Sequence, residues 1–207
     1  MFITFEGMDG SGKTTQISRV VAELNARGHD VLLTREPGGT DVGERVRTIL
    51  MDKATVGLTA RGELLLFCAS RAQLVENVIR PHLAKGGLVV CDRYIDSSLV
   101  YQGYAHGLGV DAVWPVLEFA TGGLLPDLTV YLDVAPEEGL RRRAEGGKRG
   151  EEYNRMDAFT DDFHRRVHEG YKLIGQRAGA RWAAVDAGQA PDEVFKAIMA
   201  VVEGRLR

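Results

Sequence analysis

"FITFEGMDGSGKTT" (residues 2–15) joins a short apolar run to a glycine-rich loop and then to the start of a helical pattern. Gly7, Gly12, Lys13 and Thr14 satisfy the spacing G-x-x-x-x-G-K-[ST]. Glycines let backbone N–H groups turn inward with no Cβ in the way. Those groups, with the N-terminus of the following helix, face anionic phosphates. Lys13 reaches the β and γ oxygens, and the Thr14 hydroxyl is placed to ligate Mg2+. With a strand before and a helix after, the loop predicts an ATP-type site with magnesium.

Outward from the loop, strand-like and helix-like patterns alternate to the end of the chain. Ile17, Val20, Val21 and Leu24 fall at i, i+3, i+4 and i+7, and Gly28 follows as a C-cap. "DVLLTRE" (30–36) reads as a second buried strand, "GLVVCDRY" (87–94) as a third, "DLTVYLDV" (127–134) as a fourth and "RWAAVDA" (181–187) as a fifth. Helical patterns run through 63–83, where Pro81 predicts a kink or an early end, through 111–123, and through 192–207. Such alternation predicts βαβ units and a mostly parallel sheet covered on both faces. The composition shifts only at "RRRAEGGKRGEEYNRMD" (141–157), rich in charge and glycine. It reads as an exposed mobile segment between a helix ending near Ala144 and another starting near Asn154.

Composition narrows the classes. The 207 residues suit one domain, and 44% hydrophobic residues suffice for one sizeable core. A formal net charge of −3 argues against general nucleic-acid binding, which needs a large positive footprint. Cys68 and Cys91 fit neither a disulfide framework nor a metal cluster, so they read as reduced thiols of a cytoplasmic protein. No apolar run approaches the roughly 20 residues that span a bilayer, and the N-terminus carries no export pattern. His164 and His168 are four apart on a helix, but H-R-R-V-H lacks the glutamate of a metal-binding H-E-x-x-H.

In an open parallel sheet, ligands bind outside the carboxyl ends of the strands. Asp92 closes an apolar strand and so lies near the loop, able to hold magnesium or its water. Arg93 follows, suited to bidentate anion binding. A guanine-reading N-K-x-D segment is absent from the sequence, which leaves a small-molecule phosphotransferase as the leading class. "TREPGGT" (34–40) also ends a strand, and Arg35 and Arg47 are cations available to an acceptor phosphate. Phe67 and Arg71 share a helix face, where a ring and a guanidinium can stack on a base and hydrogen-bond it. "DSSLVYQGY" (96–104) adds Ser98, Tyr101 and Gln102, and a Gln amide suits the edge of a pyrimidine.

"FEGMDGSGKTT", "TREPGGT", "LLFCASRAQLVENVI", "CDRYIDSSLVYQGYAHGLG", "PDLTVYLDV" and the "NRMD" segment occur in this order over nearly the whole chain. Together they resemble the bacterial thymidylate kinases. The resemblance implies a three-layer P-loop NTPase fold of the α/β class, with a five-stranded parallel sheet ordered 2-3-1-4-5, helices on both faces and a mobile LID at about 141–157. It implies ATP + dTMP → ADP + dTDP with Mg2+, in dTTP synthesis, by a homodimer without nucleic-acid or membrane partners. The loop residues Gly7, Met8, Asp9, Gly10, Ser11, Gly12, Lys13, Thr14 and Thr15, with Arg141, form the implied ATP set. Asp9, Glu36, Pro37, Arg47, Phe67, Arg71, Arg93, Ser98, Tyr101 and Gln102 form the implied dTMP set, and Thr14 and Asp92 the metal set. Asp9 matches a carboxylate that contacts the sugar 3′-hydroxyl. Asp186 to Gln189 match a loop near the adenine.

Family members carry a catalytic arginine either in the phosphate loop or in the LID. Gly10 stands at the variable loop position here, so the LID is expected to supply that charge, through Arg149 and Arg155, with Lys13 and Arg93 completing the catalytic set. Arg142 is read as part of a solvated helix face, and Trp114 and Phe119 as helix core or dimer interface. A kinase for another deoxynucleotide or a deoxynucleoside, and a non-catalytic ATP-binding regulator, remain the alternatives.

Overall fold

The computed structural model describes residues 1–148 and 155–206. Five parallel strands, β1 (Phe2–Glu6), β2 (Val31–Arg35), β3 (Leu88–Asp92), β4 (Leu128–Asp133) and β5 (Trp182–Asp186), form one sheet in the order β2-β3-β1-β4-β5. The register aligns Phe5 with Asp92 and Glu6 with Tyr131, so the ends of β1, β3 and β4 sit side by side. The loop after β1 therefore opens at the carboxyl edge, beside Asp92. The central strands β1, β3 and β4 are buried almost throughout, which explains their near-continuous apolar sequence. β2 corrects the expectation of a buried strand. It is an edge strand, and Leu33 is 47% exposed.

Helix α1 (Lys13–Ala26) starts after Gly12, which is left-handed at φ 88°, and buries Ile17, Val20 and Leu24. Helix α2 (Asp41–Met51) is capped by the Thr40 hydroxyl, which accepts from the Gly43 N–H. Helix α3 (Ala60–Leu74) passes into a π-helical turn at Val75–Ile79 and then into α4 (Arg80–Ala84). That widening is how Pro81 is accommodated: its ring cannot sit against the carbonyl four residues back in a regular helix. After β3, α5 (Ile95–Ser98) also widens into a π-helical stretch, Leu99–Ala105. Helix α6 (Val110–Thr121) ends at left-handed Gly122.

Helix α7 (Pro136–Lys148) runs past Ala144, where the sequence suggested an end. Arg141 bridges Glu138 and Glu145 at helical spacing, and these pairs support the turn that leads into Gly146 and Gly147. A 3-10 turn at Arg155–Ala158 precedes α8 (Asp161–Ala178), and α9 (Pro191–Leu206) closes the chain. Among the described residues, no helix is long and apolar enough to cross a membrane. Trp114 is half-buried, whereas Phe119 is 91% exposed and so is not core.

Candidate active site

One cavity of about 580 Å³ lies over the carboxyl edge of the sheet. Its phosphate end is made by the loop. Lys13 donates to the carbonyls of Gly7 (2.9 Å) and Met8 (3.0 Å). Burial lowers its pKa to about 8, with the Arg93 charge acting in the same direction. Asp9 lines the cavity and binds the Arg93 guanidinium at 2.7 Å. Burial alone would raise the Asp9 pKa, but Arg93 and Lys13 outweigh it and bring it to about 2. Arg93 has φ +67°, a conformation that costs a non-glycine residue about 1 kcal/mol or more and clusters at functional sites. It is held by Ser97 Oγ and Tyr171 OH, each at 3.2 Å.

Below Arg93 sits Glu6, fully buried at the end of β1. It accepts from the Tyr94 N–H (2.8 Å), Ser97 Oγ (2.6 Å) and Tyr171 OH (3.0 Å). Burial and the neighbouring Asp96 raise its carboxyl to about 7. The sequence reading passed over Glu6. Its only signal was a charged residue closing an otherwise apolar strand.

The base end is assembled from distant segments. Arg71 is 1% exposed and grips Glu36 through Nε and Nη2, the shortest contact being 2.6 Å. Its Nη2 also donates to the Tyr94 carbonyl and to Ser98 Oγ, both at 3.1 Å. Burial would lower the Arg71 pKa, but Glu36 outweighs it and holds the guanidinium charged. Its Nη1 is buried with no partner, and Arg71 lines the cavity. Glu36 and Ser98, expected in the dTMP set, are thus bound to Arg71, and Nη1 is the Arg71 nitrogen left without a partner. Phe67, half-buried on the face that carries Arg71, lines the same cavity, as do Pro37, Arg47, Tyr101 and Gln102. Arg47 donates to the Pro37 carbonyl at 3.1 Å.

The arginines redistribute. A Cβ on Gly10 would meet the Gly139 carbonyl at 2.0 Å, and Gly10 has φ +77°. Helix α7 therefore packs directly on the loop and leaves no room there for any side chain. The same helix brings Arg142 and Arg143 to the cavity wall. Arg142, expected to be solvated, is half-buried and donates to the Ala187 carbonyl at 2.9 Å. Arg141, expected near ATP, is exposed, pairs with Glu138 and with the cavity-lining Glu145, and does not itself line the cavity. The cause is the helical turn: successive residues lie about 100° apart, so one face cannot present all three arginines.

Arg155, expected at the transferring phosphoryl group, binds Glu63 and the Leu50 carbonyl instead. Its partner Glu63, buried at 1% exposure, drew no notice in the sequence, where a glutamate in the first turn of a helix reads as an ordinary dipole-compensating residue. Arg149 lies outside the described residues. Thr14, Thr15 and Gly12 line the cavity, while Gly7, Met8 and Ser11 form the loop behind it. Asp186 accepts from Gly188 N–H and Gln189 in the loop after β5, and Pro191 beyond it reaches the cavity. The two histidines do not converge: His168 Nε2 meets Asp133 at 2.8 Å, and His164 is buried.

Asp92 faces the cavity with Oδ1 buried and unpartnered. Carboxylate and hydroxyl oxygens are the donors a hard divalent cation prefers, so Asp92 and Thr14 fit magnesium.

A phosphate-binding loop, a buried guanidinium with a spare donor, and an aromatic wall in one cleft bear comparison with known nucleotide kinases. The family model for thymidylate kinase matches residues 5–198. The chain belongs to the thymidylate kinase family. It is 48% identical over 202 residues to a thymidylate kinase of Thermoanaerobacter sp., covering 98% of this chain and 97% of the relative. It is 46% identical to one from Caldanaerobacter subterraneus subsp. tengcongensis, covering 100% and 96%. A crystal structure of thymidylate kinase from Ehrlichia chaffeensis matches with a TM-score of 0.76 and 33% identity, over 98% of both chains. The family resemblance and the strand order expected from the sequence are both met.

Proposed function

We infer that this member of the thymidylate kinase family transfers the γ-phosphoryl group of ATP to dTMP, giving ADP and dTDP for dTTP synthesis. The observation that carries the reading is the single cavity that joins the phosphate loop to Arg71, whose Nη1 is an unsatisfied donor beside Phe67. A base stacked on Phe67 would take that donor on a ring carbonyl. A phosphate oxygen of dTMP forms the new bond to the γ-phosphorus, and the bond from that phosphorus to the β-bridging oxygen breaks. The acceptor is already anionic, so positioning and charge neutralisation carry the step without a general base.

Lys13 and the loop N–H groups hold the ATP phosphates. Arg93, fixed by Asp9, with Arg47 from α2, holds the acceptor phosphate. Arg143 and Arg142, on the helix packed against Gly10, supply positive charge at the transferring group from the described part of the LID. Arg149 and Arg155 stay in the proposed set as LID residues, and Arg155 reaches the phosphates only by leaving Glu63. Thr14 and Asp92 would hold Mg2+, which neutralises phosphate oxygens. The whole chain 1–207 acts as one kinase unit with its LID at about 141–157, in the cytoplasm. The unit is a homodimer, supported by exposed Leu65 and Phe119 on the adjoining helices α3 and α6.

A coupled ADP-release assay with dTMP, dUMP, dCMP, dGMP and thymidine in parallel tests the assignment. dTMP is expected to give the highest kcat/KM. Equal turnover of dCMP or dGMP would overturn it, thymidine as the best acceptor would indicate a nucleoside kinase, and ATP binding without any turnover would indicate a regulator.

A further inference from the structure

The cavity that Arg71 lines has a second buried polar group. Gln102 is 1% exposed and lines the cavity from the π-helical stretch after α5. Its Nε2 donates to Glu63 Oε1 at 2.8 Å. Glu63 sits in the first turn of α3 and is itself held: Arg155 donates to Oε2, and His106 Nε2 stands 3.4 Å from Oε1. Burial would raise the Glu63 carboxyl, but the nearby His106 together with hydrogen bonds from Arg155 and Gln102 outweighs it and holds it below its ordinary value. An ionised carboxylate only accepts hydrogen bonds. Rotating the Gln102 amide by half a turn would set two oxygens against each other and forfeit a buried bond. The amide therefore has one orientation, with Nε2 on Glu63 and Oε1 left for the cavity.

Two fixed groups now face a base. Arg71 Nη1 offers a donor, and Gln102 Oε1 offers an acceptor. Thymine and uracil present a carbonyl oxygen at C4 next to N3–H, the complement of that pair. Cytosine presents an amino group at C4 next to an unprotonated N3, the reverse pattern.

We propose that Glu63 is a positioning residue that sets the hydrogen-bonding polarity of the nucleobase pocket, turning the Gln102 carbonyl toward the base and so selecting pyrimidines that carry N3–H over cytosine. This deepens the dTMP kinase reading and rests on it. Glu63 touches no substrate and acts through Gln102. It also receives Arg155, so the C-terminal end of the LID is anchored on the group that orients the base reader.

The test compares kcat/KM for dTMP, dUMP and dCMP in the wild type and in Glu63→Gln. A glutamine at 63 accepts or donates, so the Gln102 amide is free to turn. The dTMP-to-dCMP ratio is expected to fall about 10- to 100-fold, the scale of one buried polar group left unsatisfied. The dTMP-to-dUMP ratio is expected to stay within about twofold, because those bases share the N3–H edge; general damage to the pocket would move both ratios. Glu63→Asp, which keeps the charge beside Arg155 but draws back from the amide, is expected to shift the same ratio in the same direction by about threefold or more. In a Gln102→Leu background, Glu63→Gln is expected to add nothing to the loss of discrimination. An unchanged dTMP-to-dCMP ratio in whichever Glu63 variant folds, or an equal change in both ratios, overturns the role of Glu63. A wild type with no preference for dTMP over dCMP overturns the base reading beneath it.

Discussion

The two ends of the cavity are built by different means. At the phosphate end, residues 7 to 15 do most of the work through backbone geometry, and Lys13 closes onto carbonyls only five and six residues away. At the base end, Glu36, Glu63, Arg71, Ser98 and Gln102 come from three separate segments and are all buried. The first end depends on chain conformation, the second on charges that satisfy one another out of water. The loop is demanding at its glycines, where a Cβ would collide or strain the backbone. Buried ion pairs are demanding at both partners, because removing one leaves the other uncompensated.

That contrast can be broken most directly at Arg71. Arg71→Ala leaves the Glu36 carboxylate buried and unpaired, and is expected to cost about 3 to 5 kcal/mol of stability in denaturant unfolding, together with dTMP binding measured by calorimetry. If stability were unaffected, the base end would not be part of the fold's framework. Lys13→Ala should behave oppositely. Its kcat is expected to fall about 10²- to 10³-fold, while its unfolding midpoint hardly moves, since burial already disfavours the Lys13 charge. A large loss of stability would erase the distinction between the ends.

The junction between them gives the smallest effect. Glu6 lies beneath Arg93 and is raised to about 7 by burial and Asp96. The folded protein holds a proton there that the unfolded chain releases near its ordinary 4.5. The stability Glu6 contributes is therefore complete below about pH 4.5 and is lost as pH rises toward 7, by at most roughly 3 kcal/mol. Thermal unfolding across pH 4.5 to 7 should show a slope that Glu6→Gln flattens. A variant with the wild-type slope would remove Glu6 as its source.

The alternation of elements was readable because buried parallel strands are continuously apolar and helices repeat their apolar positions every three or four residues. β2 deceived because "VLL" looks alike in a central strand and at an edge. The arginines of 141–143 could be counted but not aimed, since helix phase relative to the cavity is set by how α7 seats on Gly10. Sequence spacing put Phe67 and Arg71 on one face, but not which group would hold Arg71.

By itself, then, the sequence determined the phosphate loop, the strand–helix order and the family, because each is written in local spacing and glycine placement. Only the tertiary structure decided that Arg142 and Arg143 line the cavity while Arg141 does not, that Arg155 binds Glu63, and that Gln102 donates to Glu63. Those outcomes depend on which charges meet across 30 to 100 residues of chain. A buried carboxylate chooses its partners by proximity in the folded core, which no local pattern encodes.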